Sequence, residues 1–298
     1  MRLTDINTVK EIMREFDLNF KKKFGQNFLI NASVPARIAD ECTNGDFDCG
    51  ILEIGPGIGT LTYELAKRYK KVVAVEIDTT LLPALEHTLA EFDNVTVISA
   101  DIMKTDVKEL CKREFSDIGM HFSVCANLPY YITTPVIMHL LESGAGFDYV
   151  TVMIQKEVVA RLCSMPGTAD YGAITASVSY YGEVKKLFSV PAGCFMPAPK
   201  VDSAVMRIRL HEEPPVKTLD TGVFFRVIRG AFAQRRKTLP NSLSSEFGEL
   251  DRACLTGIVE ESGFSATVRG EALGIEDFAR IADMIVKAKF GETATYKP

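Results

Sequence analysis

Leu52-Glu53-Ile54-Gly55-Pro56-Gly57-Ile58-Gly59-Thr60-Leu61-Thr62 joins a short apolar run to a helical pattern, and its reading decides the fold. Glycine lets a chain turn tightly and approach a ligand with no Cβ in the way. The helix that follows presents unpaired N–H groups to an anionic or polar group. Many doubly wound folds carry such a turn, so alone it leaves open whether a ligand binds there. Outward from it, the runs 51–54, 72–75, 95–98, 122–126 and 150–154 are short, β-branched and bounded by turn residues. Strands buried on both faces read this way. Helical stretches at 61–68 and 81–92 alternate with them. The alternation predicts an α/β fold: a doubly wound, mostly parallel, Rossmann-like sheet with helices on both faces.

The pattern changes at His211-Glu212-Glu213-Pro214-Pro215, a charged, proline-containing linker. Beyond it 222–234, 251–262 and 276–289 have helical period and no strand-like run follows. A catalytic domain over 1–211 and a second, smaller all-α domain over 217–298 are therefore expected.

The 298 residues are 47% hydrophobic and 24% charged, as in an ordinary soluble domain. A net charge of -5 gives no global attraction to nucleic acid, so an RNA substrate requires basic residues gathered locally. Seven cysteines, an odd number without a CxxC pair, suggest neither a disulfide framework nor a zinc site. His87, His121, His139 and His211 show no ligand spacing, and no metal is expected. The first residues lack an apolar signal core and include Asp5, Glu11, Glu15 and Asp17. No apolar run approaches the roughly 20 residues of a membrane span. A cytoplasmic protein without membrane attachment is expected.

Two acids extend the glycine turn. Glu76 ends the second predicted strand, where a carboxylate accepts from both hydroxyls of a ribose. Asp101 follows the third, beside the position of an adenine ring. Each alone is commonly a solvated strand-end acid; together with Gly55, Gly57 and Gly59 they trace one nucleoside along three strand ends. NAD fits the first two signals equally well. Asn127-Leu128-Pro129-Tyr130, directly after the fourth strand, points elsewhere. The lone pair of an adenine amine is delocalised into the ring. Methylating it needs acceptors for both N–H bonds, and an Asn oxygen and a neighbouring backbone carbonyl supply them. Pro129 stiffens the turn, and Tyr130 offers a face on which an extruded base stacks. Asn-x-Pro-Tyr at this place is the pattern of nucleobase amino-group methyltransferases.

Further segments resemble the ribosomal RNA adenine dimethyltransferases of the KsgA type over nearly the whole chain. Lys22-Lys23-Phe24-Gly25-Gln26-Asn27-Phe28-Leu29 is similar to that family's N-terminal signature, and its Gln-Asn-Phe-Leu portion looks bacterial. The resemblance implies S-adenosylmethionine as cofactor and a covering segment within 1–30. It also implies cofactor contacts at Gln26, Asn27 and Leu29, at Ile77 and Ile102 beside the two acids, and at Asn127. Phe195-Met196-Pro197-Ala198-Pro199-Lys200-Val201-Asp202-Ser203 resembles the segment carrying a second aromatic, so that Phe195 sandwiches the base against Tyr130. The segment from Ala231 through Arg235-Arg236-Lys237-Thr238-Leu239, and Arg269-Gly270-Glu271-Ala272-Leu273, resemble the family's basic motifs. They imply RNA contacts at Arg235, Arg236, Lys237 and Arg269, joined by Lys22, Lys23 and Lys200.

The implied activity is dimethylation of two adjacent adenines near the 3′ end of 16S rRNA, within the small ribosomal subunit and by a monomer. The macrolide-resistance methyltransferases, which act on large-subunit RNA, share the Asn-x-Pro-Tyr and Phe-x-Pro-x-Pro-Lys-Val segments. The two basic motifs favour the small-subunit enzyme. Two other readings stand beside it: a ribosome-assembly factor that keeps the fold for docking on RNA, and a nicotinamide-dependent oxidoreductase. The latter leaves 127–130 and Phe195 without a role.

Overall fold

A computed structural model of the chain describes residues 2–18, 26–116 and 121–290. Nine strands occur among them. They are β1 (Phe28–Leu29), β2 (Gly50–Ile54), β3 (Lys71–Glu76), β4 (Val95–Ser99), β5 (Phe122–Asn127), β6 (Tyr149–Gln155), β7 (Gly182–Val190), β8 (Phe195–Met196) and β9 (Ser203–Leu210). Seven form one sheet in the order β4-β3-β2-β5-β6-β9-β7. Neighbours from β4 to β6 run parallel, and β9 returns antiparallel to β6, Val150 opposite Ile208. All of β2 is buried, as expected for a central strand with both faces covered. The glycine turn leaves its end, and the chain reverses order on either side of β2, which is where open α/β sheets bind ligands.

The five parallel strands fall where the apolar runs predict them. β4 differs in its surroundings: it is an edge strand with no fully buried residue. The helix expected over 61–68 spans Thr60–Ala66. That expected over 81–92 divides into a 3-10 turn, Thr79–Leu81, and an α-helix, Leu82–Thr88, with a proline in its first turn. Proline lacks the N–H that a continuous helix would use, so it starts the second piece rather than sitting inside one long helix.

β7 and β9 were not expected. Lys185 and Lys186 interrupt the first, which lies at the sheet edge, where charged residues also discourage pairing with other chains. Arg207 interrupts the second. It is only 8% exposed, and its guanidinium donates to Glu41 O at 2.7 Å and Asn44 Oδ1 at 2.8 Å. A satisfied cation thus stands inside a buried strand.

The chain divides into two compact units, 1–159 with 184–210 and 160–183 with 211–298. The sequence reading expected one passage near 211. The second unit also takes 160–183, because Tyr171 and Ala176 belong to the same apolar cluster as Phe224, Phe247, Phe278 and Ile281. Its helices after the linker are Thr221–Ala233, Leu239–Leu243, Arg252–Glu261 and Ile275–Phe290. Two start at aspartate caps, Asp220 accepting from Val223 N and Asp251 from Cys254 N.

Candidate active site

The carboxyl ends of the central parallel strands open onto a cleft of about 1150 Å³ including its mouth, lined from Gln26 to Phe195.

The end of the cleft beside β2 and β3 is built on backbone geometry. Gly55, Gly57 and Gly59 have φ of +69°, +65° and +87°, the left-handed region that side chains disfavour. Gly55 and Gly57 line the cleft, whereas Gly59 caps the helix behind it, where a Cβ would stand 3.1 Å from Thr88 Oγ1. Glu76, 4% exposed, accepts from Gly57 N at 3.2 Å through Oε2 and from Asp78 N at 2.8 Å through Oε1. Burial raises its pKa against the pull of these donors. The carboxylate keeps acceptor capacity beyond these donors. Asp101 accepts from Met103 N at 3.0 Å, and Asp101, Ile77 and Ile102 all line the cleft.

The N-terminal signature is tied to this end. Gln26 Nε2 donates to Asp78 Oδ2 at 3.0 Å. β1 pairs antiparallel with β8, Leu29 opposite Phe195, so the two segments carrying the family resemblance form one small sheet. The Phe28 ring lies 3.3 Å from where a Cβ on Gly57 would be, which leaves no slack for a larger residue. Gln26, Asn27 and Leu29 thereby reach the cleft. Lys22 and Lys23 lie outside the described residues.

At the other end stand Asn127, Leu128, Pro129, Tyr130 and the buried ring of Phe195. Leu128 N donates to Met153 O at 3.2 Å, which fixes the turn on β6. Pro129 O accepts from Ile132 N and Thr133 Oγ1, and Tyr130 O from Thr133 Oγ1. Leu128 O and the Asn127 carboxamide accept from no described residue. Among the described residues, then, neither acceptor at the end of β5 is taken. Tyr130 Oη bonds Ser203 Oγ at 2.7 Å, which locks the ring orientation.

Glu53, Met103 and Tyr131 also line the cleft and were not assigned a role from sequence. Glu53 is 1% exposed, and its Oε2 has no hydrogen-bond partner. Burial pushes its carboxyl up to about 8, nearby Thr62 opposing and Glu76 adding to the shift. Thr62 Oγ1 is itself buried without a hydrogen bond of sound geometry. The signal was present: an acid inside an otherwise apolar central strand.

In the second unit Arg235, Arg236 and Lys237 lie in a turn after helix Thr221–Ala233. Leu239 N donates to Val268 O at 2.7 Å, and a Cβ on Gly270 would come within 2.6 Å of Ala231 O. These close approaches bring Arg269 beside the turn, so the two basic motifs share a surface. Arg235 is committed internally, donating to Ala169 O, Tyr171 O and Glu271. Arg236, Lys237 and Arg269 are exposed, as is Lys200 in the first unit. Among the described residues no cluster could hold a metal, and no helix is long and apolar enough to cross a membrane.

A doubly wound sheet whose strand ends open onto a cleft lined by Glu76, Asp101 and Asn127 is the architecture of a methyltransferase. The chain belongs to the ribosomal RNA adenine dimethylase family, which it matches over residues 17–285. It is 47% identical over 287 residues to ribosomal RNA small subunit methyltransferase A of Lachnoclostridium phytofermentans, covering 95% of this chain and 97% of that one. The protein of the same name from Bacillus cytotoxicus is 46% identical over 285 residues, covering 95% and 97%. Among solved structures, 23S rRNA methyltransferase ErmE superposes with a TM-score of 0.64 at 26% identity, covering 87% of this chain and 99% of that one. A dimethyladenosine transferase from Plasmodium falciparum shares the fold, with a TM-score of 0.72 at 23% identity over 88% and 97%.

Proposed function

We propose that this chain transfers methyl groups from S-adenosylmethionine to the exocyclic amines of two adjacent adenines near the 3′ end of 16S rRNA, as a cytoplasmic monomer acting on the assembling small subunit. The observation that carries the reading is the open pair Asn127 Oδ1 and Leu128 O at the end of β5, in the same cleft as the Glu76 cradle. S-adenosylmethionine supplies an electrophilic methyl group on a sulfonium centre. Gly55, Gly57 and Glu76 hold its nucleoside, Asp101 its adenine edge, and Gln26, Asn27 and Leu29 cover it. Tyr130 and Phe195 hold the extruded adenine between two rings. Asn127 Oδ1 and Leu128 O accept its two N–H bonds, which turns the nitrogen lone pair toward the methyl carbon. With the sulfonium bound there, the transfer would form the N–C bond as the C–S bond breaks and release the amine proton to solvent. Alignment and fixed dipoles do this work without a strong base. Residues 217–298 serve as the RNA-binding domain. There Arg236, Lys237 and Arg269 contact phosphate, with Arg235 chiefly fixing their turn; Lys200, Lys22 and Lys23 add contacts from the first unit.

Incubating the protein with methyl-labelled S-adenosylmethionine and unmethylated small or large subunits separates the substrates. Dimethyladenosine is expected in small subunits. Label confined to large subunits, the substrate named for the ErmE relative, overturns the assignment.

A further inference from the structure

Tyr130 is half-buried and anchored at both ends. Its backbone oxygen accepts from Thr133 Oγ1 at 3.4 Å, and its hydroxyl meets Ser203 Oγ at 2.7 Å. Ser203 is fully buried, and among the described residues its hydroxyl has no other hydrogen bond. A buried hydroxyl with one partner is costly to leave unpaired, so the bond holds. The sheet fixes Ser203 in turn. It opens β9 opposite Gln155 of β6, and the preceding Asp202 accepts from Lys156 N through its carbonyl and from Ala192 N through its carboxylate, each at 3.0 Å. The stretch 195–203 thus carries Phe195 at its start and ends on the group that grips Tyr130, so one segment sets both rings of the target site. A first methyl transfer changes what holds the adenine there. The unmodified amine brings two N–H bonds to Asn127 Oδ1 and Leu128 O. Once methylated it brings one, and one acceptor goes without a donor. In the second transfer the plane of the base therefore rests more heavily on the ring faces.

We infer that Ser203 is a positioning residue for the second methyl transfer: by holding the Tyr130 hydroxyl, it sets the pitch of the ring that keeps a monomethylated adenine aligned for attack. The inference rests on the proposed dimethylation between Tyr130 and Phe195. It extends that reading to a fully buried residue outside the cleft lining, which acts only through Tyr130.

With the full chain in excess over unmethylated small subunits, a single-turnover time course resolves monomethyladenosine from dimethyladenosine and gives each transfer its own rate. Ser203→Ala is expected to slow the second transfer about three- to tenfold, the range of one net hydrogen bond, and the first less than about twofold, so that monomethyladenosine accumulates. Tyr130→Phe breaks the same bond from the other side and is expected to shift the ratio alike, with the double variant no worse than either single one. A smaller folded fraction lowers both rates together and leaves their ratio where it was. Equal slowing of the two transfers, or an unchanged ratio, overturns the inference. So does a double variant whose effect is the product of the two single ones. If Ser203→Ala shows no cooperative melting transition, the ratio in Tyr130→Phe decides. Wild-type protein that leaves small subunits unmethylated or stops at monomethyladenosine defeats the dimethylation reading itself, a result distinct from these.

Discussion

The two ends of the cleft satisfy their polar groups in opposite ways. At the cofactor end both Glu76 oxygens already hold backbone N–H groups, and Asp101 holds Met103 N. At the target end Asn127 and Leu128 O stay open while the neighbouring carbonyls are taken. A ligand that binds in one pose profits from a cradle rigid before arrival. A reacting amine profits from acceptors that reach full strength only when the lone pair turns outward. Loss at the first end therefore reads in binding, and loss at the second reads in rate.

Glu53 is the exception at the cofactor end, and the largest effect is expected there. Below its ordinary range the carboxyl is protonated in folded and unfolded chains alike. As pH rises from about 4.5, unfolded chains release the proton first, so the fold loses stability until Glu53 itself ionises near 8. The shift corresponds to about 4–5 kcal/mol. Glu53→Gln removes this pH-dependent part, and urea denaturation of the cofactor-free protein at pH 5, 6.5 and 8 is expected to show a flatter profile than the wild type. Parallel profiles break the claim that the carboxyl is buried without adequate partners. Next in size is Asn127→Ala, expected to lower the methyl-transfer rate at saturating S-adenosylmethionine about 10²–10³-fold, roughly 3–4 kcal/mol. Single-turnover kinetics on small subunits measures it, and a normal rate removes Asn127 from the transition state.

The contrast was partly legible in the sequence. Parallel strands announce themselves because burial on both faces demands unbroken apolar runs, and the glycine turn because only glycine takes its φ values easily. Glu76, Asp101 and Asn127 are singled out by their places at strand ends, and all three line the cleft there. β9 was hidden because Arg207 breaks its apolar run, and its satisfaction by Glu41 O and Asn44 depends on residues distant in sequence. β1 and β8, two residues each, have no period to read. The commitment of Arg235 to carbonyls of 169 and 171 was likewise invisible, because those residues join the second unit only in three dimensions. Neither could sequence distinguish open carbonyls from occupied ones, which is the property that separates the two ends.

The smallest effect tests that separation most directly. Glu76→Ala leaves Gly57 N and Asp78 N without their acceptor and removes the oxygens offered to a ribose. Cofactor affinity is expected to fall by about 1–3 kcal/mol, the scale of a lost buried hydrogen-bonding group. The rate at saturating cofactor should change little, because Asn127 and Leu128 O stand on β5 and its loop, held through Leu128 N on Met153 O rather than through Glu76. Calorimetry with S-adenosylhomocysteine and turnover at saturation give the two numbers. Unchanged affinity refutes the ribose role. A large loss of rate at saturation would mean that the cradle also aligns the methyl group, joining the two ends into one unit whose effects no longer separate.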